Sequence, residues 1–344
     1  MMEDISVLVT GASGFVAMRT IHDLLETDYR VRGSLRSIQK ADNLREALRP
    51  LTPMADMLEC VEADLLSERG WDNACDGMDY VLHMASPFPA HMPKNDNDVI
   101  RPAVEGTLNV LRAANRSGVK RVVLTSSVAS ILYGWGNSLP DMMDESHWSN
   151  PENLKDNTAY TRSKTLAEKA AWQFMKDEAR DDLELSVVNP GLILGPIIGT
   201  ERSTSLEIVS QLLTRQIPAL PDLSFQIVDV RDVARAHIIA MRRPEAESQR
   251  FILADRACSL CEIAEILQAA FPDRASSIPT RPLPSWLVRL IAPLRPTLKQ
   301  VLPDLGKRRN VSSEKMRTVL GIDPIHTEQS VKDTAQSLMD AGFV

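Results

Sequence analysis

Tyr160 and Lys164 stand four residues apart in the run Ala159-Tyr160-Thr161-Arg162-Ser163-Lys164. On a helix that spacing puts both side chains on one face. There the ammonium can lower the phenol pKa from its free value of ~10, and a phenol so tuned exchanges a proton with a carbonyl oxygen near neutral pH. A lone Tyr-x-x-x-Lys occurs too often by chance to carry this chemistry. Two distant segments complete it. One is Val7-Leu8-Val9-Thr10-Gly11-Ala12-Ser13-Gly14-Phe15-Val16-Ala17, and the other is Val122-Val123-Leu124-Thr125-Ser126-Ser127. A nucleotide-binding start, a serine pair at a strand end and the Tyr/Lys pair, in that order, imply proton transfer beside a dinucleotide. That is the chemistry of nicotinamide-dependent oxidoreduction.

Gly11-x-x-Gly14-x-x-Ala17 follows an apolar strand and opens a helix, the context in which a glycine turn has meaning. Gly11 permits the tight turn, and Gly14 lets backbone N–H groups approach a pyrophosphate at the helix N-terminus. Ala17 takes the last position, at some expense in helix–strand closeness. The end of the second strand selects the cofactor. An acid there would bind the ribose 2′-OH of NAD, whereas Arg accommodates the 2′-phosphate of NADP. The run Gly33-Ser34-Leu35-Arg36-Ser37-Ile38-Gln39-Lys40 has no acid before Asp42. It predicts NADPH/NADP+, with Arg36 on the phosphate. Lys40 and Arg45 are either helpers or surface cations on the next helix.

The ordered set resembles the extended branch of the short-chain dehydrogenase/reductase superfamily. Within that branch it is most similar to the dihydroflavonol 4-reductase-like group, which includes microbial aldehyde and ketone reductases. Further segments carry the likeness: Asp79-Tyr80-Val81-Leu82-His83-Met84-Ala85-Ser86-Pro87, Glu105-Gly106-Thr107-Leu108-Asn109-Val110-Leu111, Asn189-Pro190-Gly191-Leu192-Ile193-Leu194-Gly195-Pro196, and Val228-Asp229-Val230-Arg231-Asp232-Val233-Ala234. The match runs from about residue 5 to 255, with a weaker echo at 311–321.

The resemblance implies roles residue by residue. Ser127 becomes the hydroxyl that binds the substrate oxygen, with Ser126 beside the nicotinamide; the reverse assignment of the two serines stays open. Tyr160 is the general acid, and Lys164 holds the ribose and tunes the phenol. Gly11, Ser13, Gly14, Phe15 and Val16 form the cofactor turn, and Asp64 and Leu65 flank the adenine. Met84, Ala85 and Ser86 close the fourth strand against the cofactor. Pro190, Gly191 and Ile193 present backbone to the carboxamide, and Ser205 makes one further cofactor contact. His83, inside a strand, is expected to be a satisfied core histidine rather than a catalytic one.

The pattern also departs from specialised relatives. Flavonoid-reducing members keep an Asn five residues after the catalytic Ser, where this chain has Leu132. The Asn-Trp-Tyr-Cys signature of hydroxycinnamoyl-CoA reductases is absent from 158–164. What remains is an expected apolar substrate pocket of Phe88, Leu132, Ile197 and Ile198, suited to a hydrophobic aldehyde or ketone. The alternatives are a nucleotide-sugar epimerase or dehydratase with retained NAD, a hydroxysteroid dehydrogenase, and a catalytically silent nucleotide sensor.

Bulk properties fit such a protein. The 344 residues can bury a large core, and the composition, 44% hydrophobic and 25% charged, is ordinary for a globular chain. A net charge of −7 disfavours a nucleic-acid binder. The most apolar late segment, 286–294, is far below the ~20 residues of a membrane span. A soluble cytoplasmic monomer or homodimer without a metal is expected. Cys258-x-x-Cys261 lacks a second pair and reads as two small residues at a helix N-terminus. Lys307-Arg308-Arg309 reads as a solvated turn.

Apolar runs alternate with amphipathic stretches in the first half, which predicts βαβ units around a parallel sheet. Strands are expected at 7–10, 30–35, 58–62, 80–84, 122–125 and 185–189, with helices at 15–26, 39–49, 98–117 and 160–180 and a long loop at 135–157. After Pro190 the expectations are a helix at 204–215, a strand at 225–228, a helix at 230–242 and a mostly helical remainder, with 306–321 unassigned. The fold class is α/β, a Rossmann-type doubly wound parallel sheet with a smaller, discontinuous C-terminal lobe. The dinucleotide domain spans 1–190 with a returning segment at about 223–255. The substrate lobe takes 191–222 and 256–344.

Overall fold

Ile5–Val9 (β1) is buried at every position, as a strand covered on both faces must be. The period of two divides its side chains between two cores. Val7 and Val9 join Ile21, Leu24 and Val233 on one face, while Leu8 joins Val110, Leu111 and Phe174 on the other. The computed structural model describes residues 5–27, 29–86, 95–199, 203–294 and 301–344.

β1 pairs in parallel with Tyr29–Leu35 (β2) and with Tyr80–His83 (β4). Glu59–Glu62 (β3) extends the sheet beyond β2. Arg121–Thr125 (β5), Glu184–Pro190 (β6) and Arg250–Leu253 (β10) extend it beyond β4. The seven-stranded order is β10-β6-β5-β4-β1-β2-β3, a doubly wound sheet whose direction of growth reverses at β1 and β4. Ligands of such sheets bind at that switch point, outside the carboxyl ends of the strands. Phe15–Leu25 (α1) packs on Val230–Arg242 (α8) in one layer, and Asn97–Arg116 (α4) on Ala159–Asp177 (α6) in the other; Ala41–Leu48 (α2), Trp71–Cys75 (α3) and Ala129–Leu132 (α5) are shorter helices between them in the chain.

A second sheet holds Leu192–Leu194 (β7), Ser224–Asp229 (β9) and Arg256–Ser259 (β11) in the order β11-β9-β7. Its core gathers Leu194 and Ile227 with Leu206 and Leu212 of Thr204–Leu213 (α7), Ile263 of Leu260–Ala270 (α9) and Leu338 of the C-terminal helix Thr327–Asp340. The stretch 223–255 is therefore shared: β9 lies in the small sheet, whereas α8 and β10 return to the large one. Sequence patterning missed β7, β10 and β11, runs of three or four residues, the length at which periodicity discriminates least.

Two local expectations are corrected. Lys307-Arg308-Arg309 is not a solvated turn. Arg309 is buried, bonds Asp156 at 2.6 Å and Asp304 as well, and lies over the Tyr133 ring at 4.3 Å; Lys307 pairs with the same Asp156. Nor do both cysteines sit at a helix start. Cys258 is a buried residue of β11, and burial pushes its thiol up to about 12. Cys261 stands in the first turn of α9, capped by a reciprocal Ser259–Glu262 box. No helix among the described residues is long and apolar enough to cross a membrane.

Candidate active site

The helix that carries Tyr160 and Lys164 begins at a closed capping box. Thr158 Oγ1 accepts from Thr161 N at 3.2 Å, and Thr161 Oγ1 accepts from Thr158 N at 2.9 Å, which satisfies two donors that a helix start otherwise leaves open. Arg162 locks the same turn by donating to Pro151 O at 3.0 Å and pairing with Asp96 at 2.5 Å. Tyr160 is thereby fixed in the first turn of α6, with Lys164 one turn further in.

The Ser127 hydroxyl faces the Tyr160 phenol closely enough to favour its ionised form. The phenol pKa is nevertheless raised above its ordinary value, because burial outweighs the effect of Ser127. The sequence-based expectation of a lowered value is not met: phenolate is disfavoured wherever water is withdrawn. Burial also pulls Lys164 down to about 8, opposed by the carboxylate of Glu168.

The two serines point to different partners. Ser126 is buried and donates to Glu168 Oε2 at 2.5 Å. Ser127 stays half-buried; its Oγ accepts from Ala129 N at 3.1 Å, and the next amide, Val128 N, is held by Pro190 O at 3.0 Å. Glu168 also accepts from Ser130, Asn189 and Arg250. Sequence reasoning passed over this group. Its one local signal was position: Glu168 follows Lys164 by four residues and so shares its helix face.

The glycine turn is shaped as a phosphate cradle requires. Gly11 has φ +66°, and a Cβ there would come within 3.0 Å of Ala85. Gly14 N donates back to Gly11 O at 2.8 Å and stands exposed as the residue before α1. Gly33, which sequence reasoning left without a role, lets β2 approach this turn, since a Cβ there would lie 2.7 Å from the Ala12 methyl. Ser13 and Val16 are half-buried at the turn, and Phe15 packs against the core of the small sheet.

Thr10 ties the turn to β4. Its Oγ1 accepts from Met84 N at 3.0 Å and Ala85 N at 2.9 Å, so its proton goes to His83 Nδ1 at 2.9 Å. His83 is thus a buried neutral core histidine, as expected, and its pKa is pulled down to about 3 by burial and by the Lys164 charge. Ala85 and Ser86 line a cavity with Leu65, Thr107, Ser126 and Lys164. Leu65 sits there because Gly106 of α4 leaves room, a Cβ at that glycine coming within 2.9 Å of the Leu65 Cβ.

The remaining sites fall as follows. Arg36 is exposed directly after β2 and has no hydrogen bond or ion pair among the described residues; Lys40 is exposed in the short turn Ile38–Lys40. Asp64 caps its own turn by accepting from Leu66 N at 2.9 Å. Pro190 ends β6, and Gly191 is pressed so close to β9 that a Cβ would lie 2.1 Å from Gln226 O. Ile193 lies half-buried in β7, and Ser205 in the first turn of α7. Of the four proposed substrate residues, the three described ones pack in different places. Leu132 is buried with Ile131, Met143 and Ile252, Ile197 packs in the small-sheet core, and Ile198 against the β1–α1 core. Phe88 lies outside the described residues.

A doubly wound sheet with a glycine turn after its first strand, a serine pair just beyond β5 and a Tyr/Lys pair on α6 defines an extended short-chain dehydrogenase/reductase. The model of the NAD dependent epimerase/dehydratase family matches residues 7–254, and the chain belongs to that family. Among curated relatives, cinnamoyl-CoA reductase CAD2 of Medicago truncatula is 32% identical over 343 residues, covering 98% of this chain and 96% of that protein. NADPH-dependent methylglyoxal reductase GRE2 of Saccharomyces cerevisiae is 31% identical over 353 residues, covering 97% and 98%. The crystal structure of yeast methylglyoxal/isovaleraldehyde reductase Gre2 complexed with NADPH superposes with a TM-score of 0.80 at 29% identity, over 99% of this chain and 100% of that one.

Proposed function

We propose that this protein is an NADPH-dependent reductase that transfers hydride to the carbonyl carbon of a hydrophobic aldehyde or ketone, with Tyr160 as general acid. The observation that carries the proposal is that Ser127, just beyond the carboxyl end of β5, faces the buried Tyr160 phenol, with Lys164 one turn further along α6 in the wall of the cavity that Ala85 and Ser86 also line. Support for the cofactor comes from the exposed Arg36 at the end of β2, the lack of an acid there, and relatives named as NADPH-dependent. When bound, NADPH supplies the hydride.

The chain's own residues do the rest. The N-terminus of α1 receives the pyrophosphate, and Lys164 holds the nicotinamide ribose. Ser127 donates to the substrate oxygen as negative charge grows on it, and Tyr160 passes its proton to that oxygen to give the alcohol. A phenol kept protonated by burial is in the correct state for this direction. Relatives named for methylglyoxal and isovaleraldehyde support a simple carbonyl. The missing Asn-Trp-Tyr-Cys signature at 158–164 weighs against the thioester substrates of the cinnamoyl-CoA reductases.

The test is NADPH oxidation by protein purified without added cofactor, against aryl and branched aliphatic aldehydes, diketones, β-keto esters and sterols. One NADPH should be consumed per alcohol formed, with nucleotide sugars left unchanged. Interconversion of nucleotide sugars on a tightly held NAD, without net cofactor change, would replace this proposal with an epimerase.

A further inference from the structure

Behind the catalytic residues lies a carboxylate that the mechanism above does not use. The Glu168 side chain is completely buried, and that of Arg250 is 8% exposed. Arg250 Nε donates to Glu168 Oε1 at 2.6 Å. Oε2 accepts from Ser126 Oγ at 2.5 Å, Ser130 Oγ at 2.6 Å and Asn189 Nδ2 at 2.8 Å. Arg250 Nη1 donates to Glu145 O at 2.7 Å and His147 O at 2.8 Å, Nη2 donates to Ser130 Oγ at 3.1 Å, and the guanidinium lies 3.8 Å over the Trp148 ring. One carboxylate thus ties α6 to β5, β6 and β10. A buried ion pair is a poor way to gain stability, since apolar residues of equal volume serve as well or better. Its place one turn below Lys164, in the wall of the same cavity, gives it another use.

We propose that Glu168 is a positioning residue of the proton-transfer set, fixing the Ser126–Ser127 turn against α6 and standing one turn below Lys164 as the counter-charge of the ammonium that binds the ribose. Among the described residues, Lys164 faces few other ionisable groups. His83 from β4 is neutral, Tyr160 on the same helix is protonated, and Ser126 and Thr107 carry no charge. Arg250 is bound to Glu168 and is not among the groups acting on Lys164. Burial alone drives Lys164 toward the neutral amine, and the Glu168 carboxylate works against it.

The proposal rests on the reductase reading, so its test includes a measurement other than turnover. NADPH affinity is measured by cofactor fluorescence from about pH 6 to about pH 9, beside steady-state reduction, for wild type, Glu168→Gln, Arg250→Met and the double variant. At the acid end, Glu168→Gln should bind NADPH within about threefold of wild type; near pH 8 the loss should reach about tenfold, because the alkaline limb moves to lower pH when the carboxylate is gone. Both single variants lose thermal stability through an unpaired buried charge, while the double variant regains it and keeps the displaced limb. A wild-type pH profile in Glu168→Gln, or a profile restored in the double variant together with its melting temperature, reduces Glu168 to a structural residue and overturns the proposal. A wild type that fails to bind NADPH at any pH overturns the reductase reading and this proposal together.

Discussion

Arg309 lies 2.6 Å from Asp156, a residue 153 positions earlier in the chain, and both side chains are nearly buried, at 6% and 5% exposure. Asp156 also accepts from Gly134 N at 2.9 Å, and Arg309 covers the Tyr133 ring. The pair therefore holds the tail segment 304–309 against the loop that leads into the cap of α6. Tyr160 in turn lies close enough to Tyr133 to disfavour ionisation of the Tyr133 phenol.

Removing one partner of such a pair strands a charge away from water, which destabilises by about 3–5 kcal/mol. Arg309→Ala should lower the chemical denaturation midpoint accordingly and reduce turnover, since the tail no longer backs Tyr133. Arg308→Ala is the control. Its partner Asp222 and its own guanidinium are both about half exposed, and surface pairs contribute only ~0–1 kcal/mol. Equal effects from the two substitutions would contradict the clamp.

For catalysis, Tyr160→Phe removes the transferable proton and should lower kcat by at least ~10²-fold, with NADPH affinity retained in a fluorescence titration. The two serines should separate. Ser127→Ala loses turnover. Ser126→Ala leaves Glu168 short of a donor and acts through stability, by roughly 1–3 kcal/mol. Near wild-type turnover in Tyr160→Phe would defeat the assigned mechanism, and a larger kcat loss in Ser126→Ala than in Ser127→Ala would exchange the serines.

The parts of this site that were legible in the sequence are the local ones. Gly11, Gly14, Ser127, Tyr160 and Lys164 each lie in a short run whose spacing states its geometry, and the alternation of strand and helix runs announced the parallel sheet. What escaped was long-range. Arg250 meets Glu168 across 82 positions, and Arg309 meets Asp156 across 153. A charged residue in a short run reads as solvated unless its distant partner is known. The substrate side is the least legible for a related reason. Leu132, Ile197 and Ile198 are each apolar because each fills a different core, and composition alone does not say which.

Acid should unfold this protein from inside. His83 and His237 are buried and neutral, with pKa values pulled down from 6.5 to about 3 and about 4, chiefly by burial. His237 donates from Nδ1 to Val233 O at 2.7 Å and accepts at Nε2 from Thr125 Oγ1 at 2.7 Å, so no place is left for a second proton. Below the unfolded value of 6.5 the unfolded chain takes up protons that the native state refuses. Stability therefore falls with pH, by about 1.4 kcal/mol per pH unit for each histidine, down to about pH 4. Denaturation midpoints between about pH 7 and pH 5 should show this slope, and His237→Gln should reduce it by about half. An unchanged slope in that variant would assign the acid sensitivity to the carboxylates.

Cofactor choice rests on one exposed guanidinium. Arg36 follows β2 directly, with no carboxylate at the strand end to bind a ribose 2′-OH, and it has no partner among the described residues that a phosphate would need to displace. A charge-assisted bond from Arg to the 2′-phosphate contributes about 1.5–3 kcal/mol, so wild type should prefer NADPH over NADH by roughly ten- to a hundredfold. Arg36→Ala should lose most of that preference through weaker NADPH binding, with NADH affinity and the kcat at saturating NADPH little changed, because the phosphate lies far from the reacting carbon. Salt should weaken NADPH binding more in wild type than in the variant, as expected for an exposed ionic contact. Equal affinities of wild type for the two cofactors would remove Arg36 from the site.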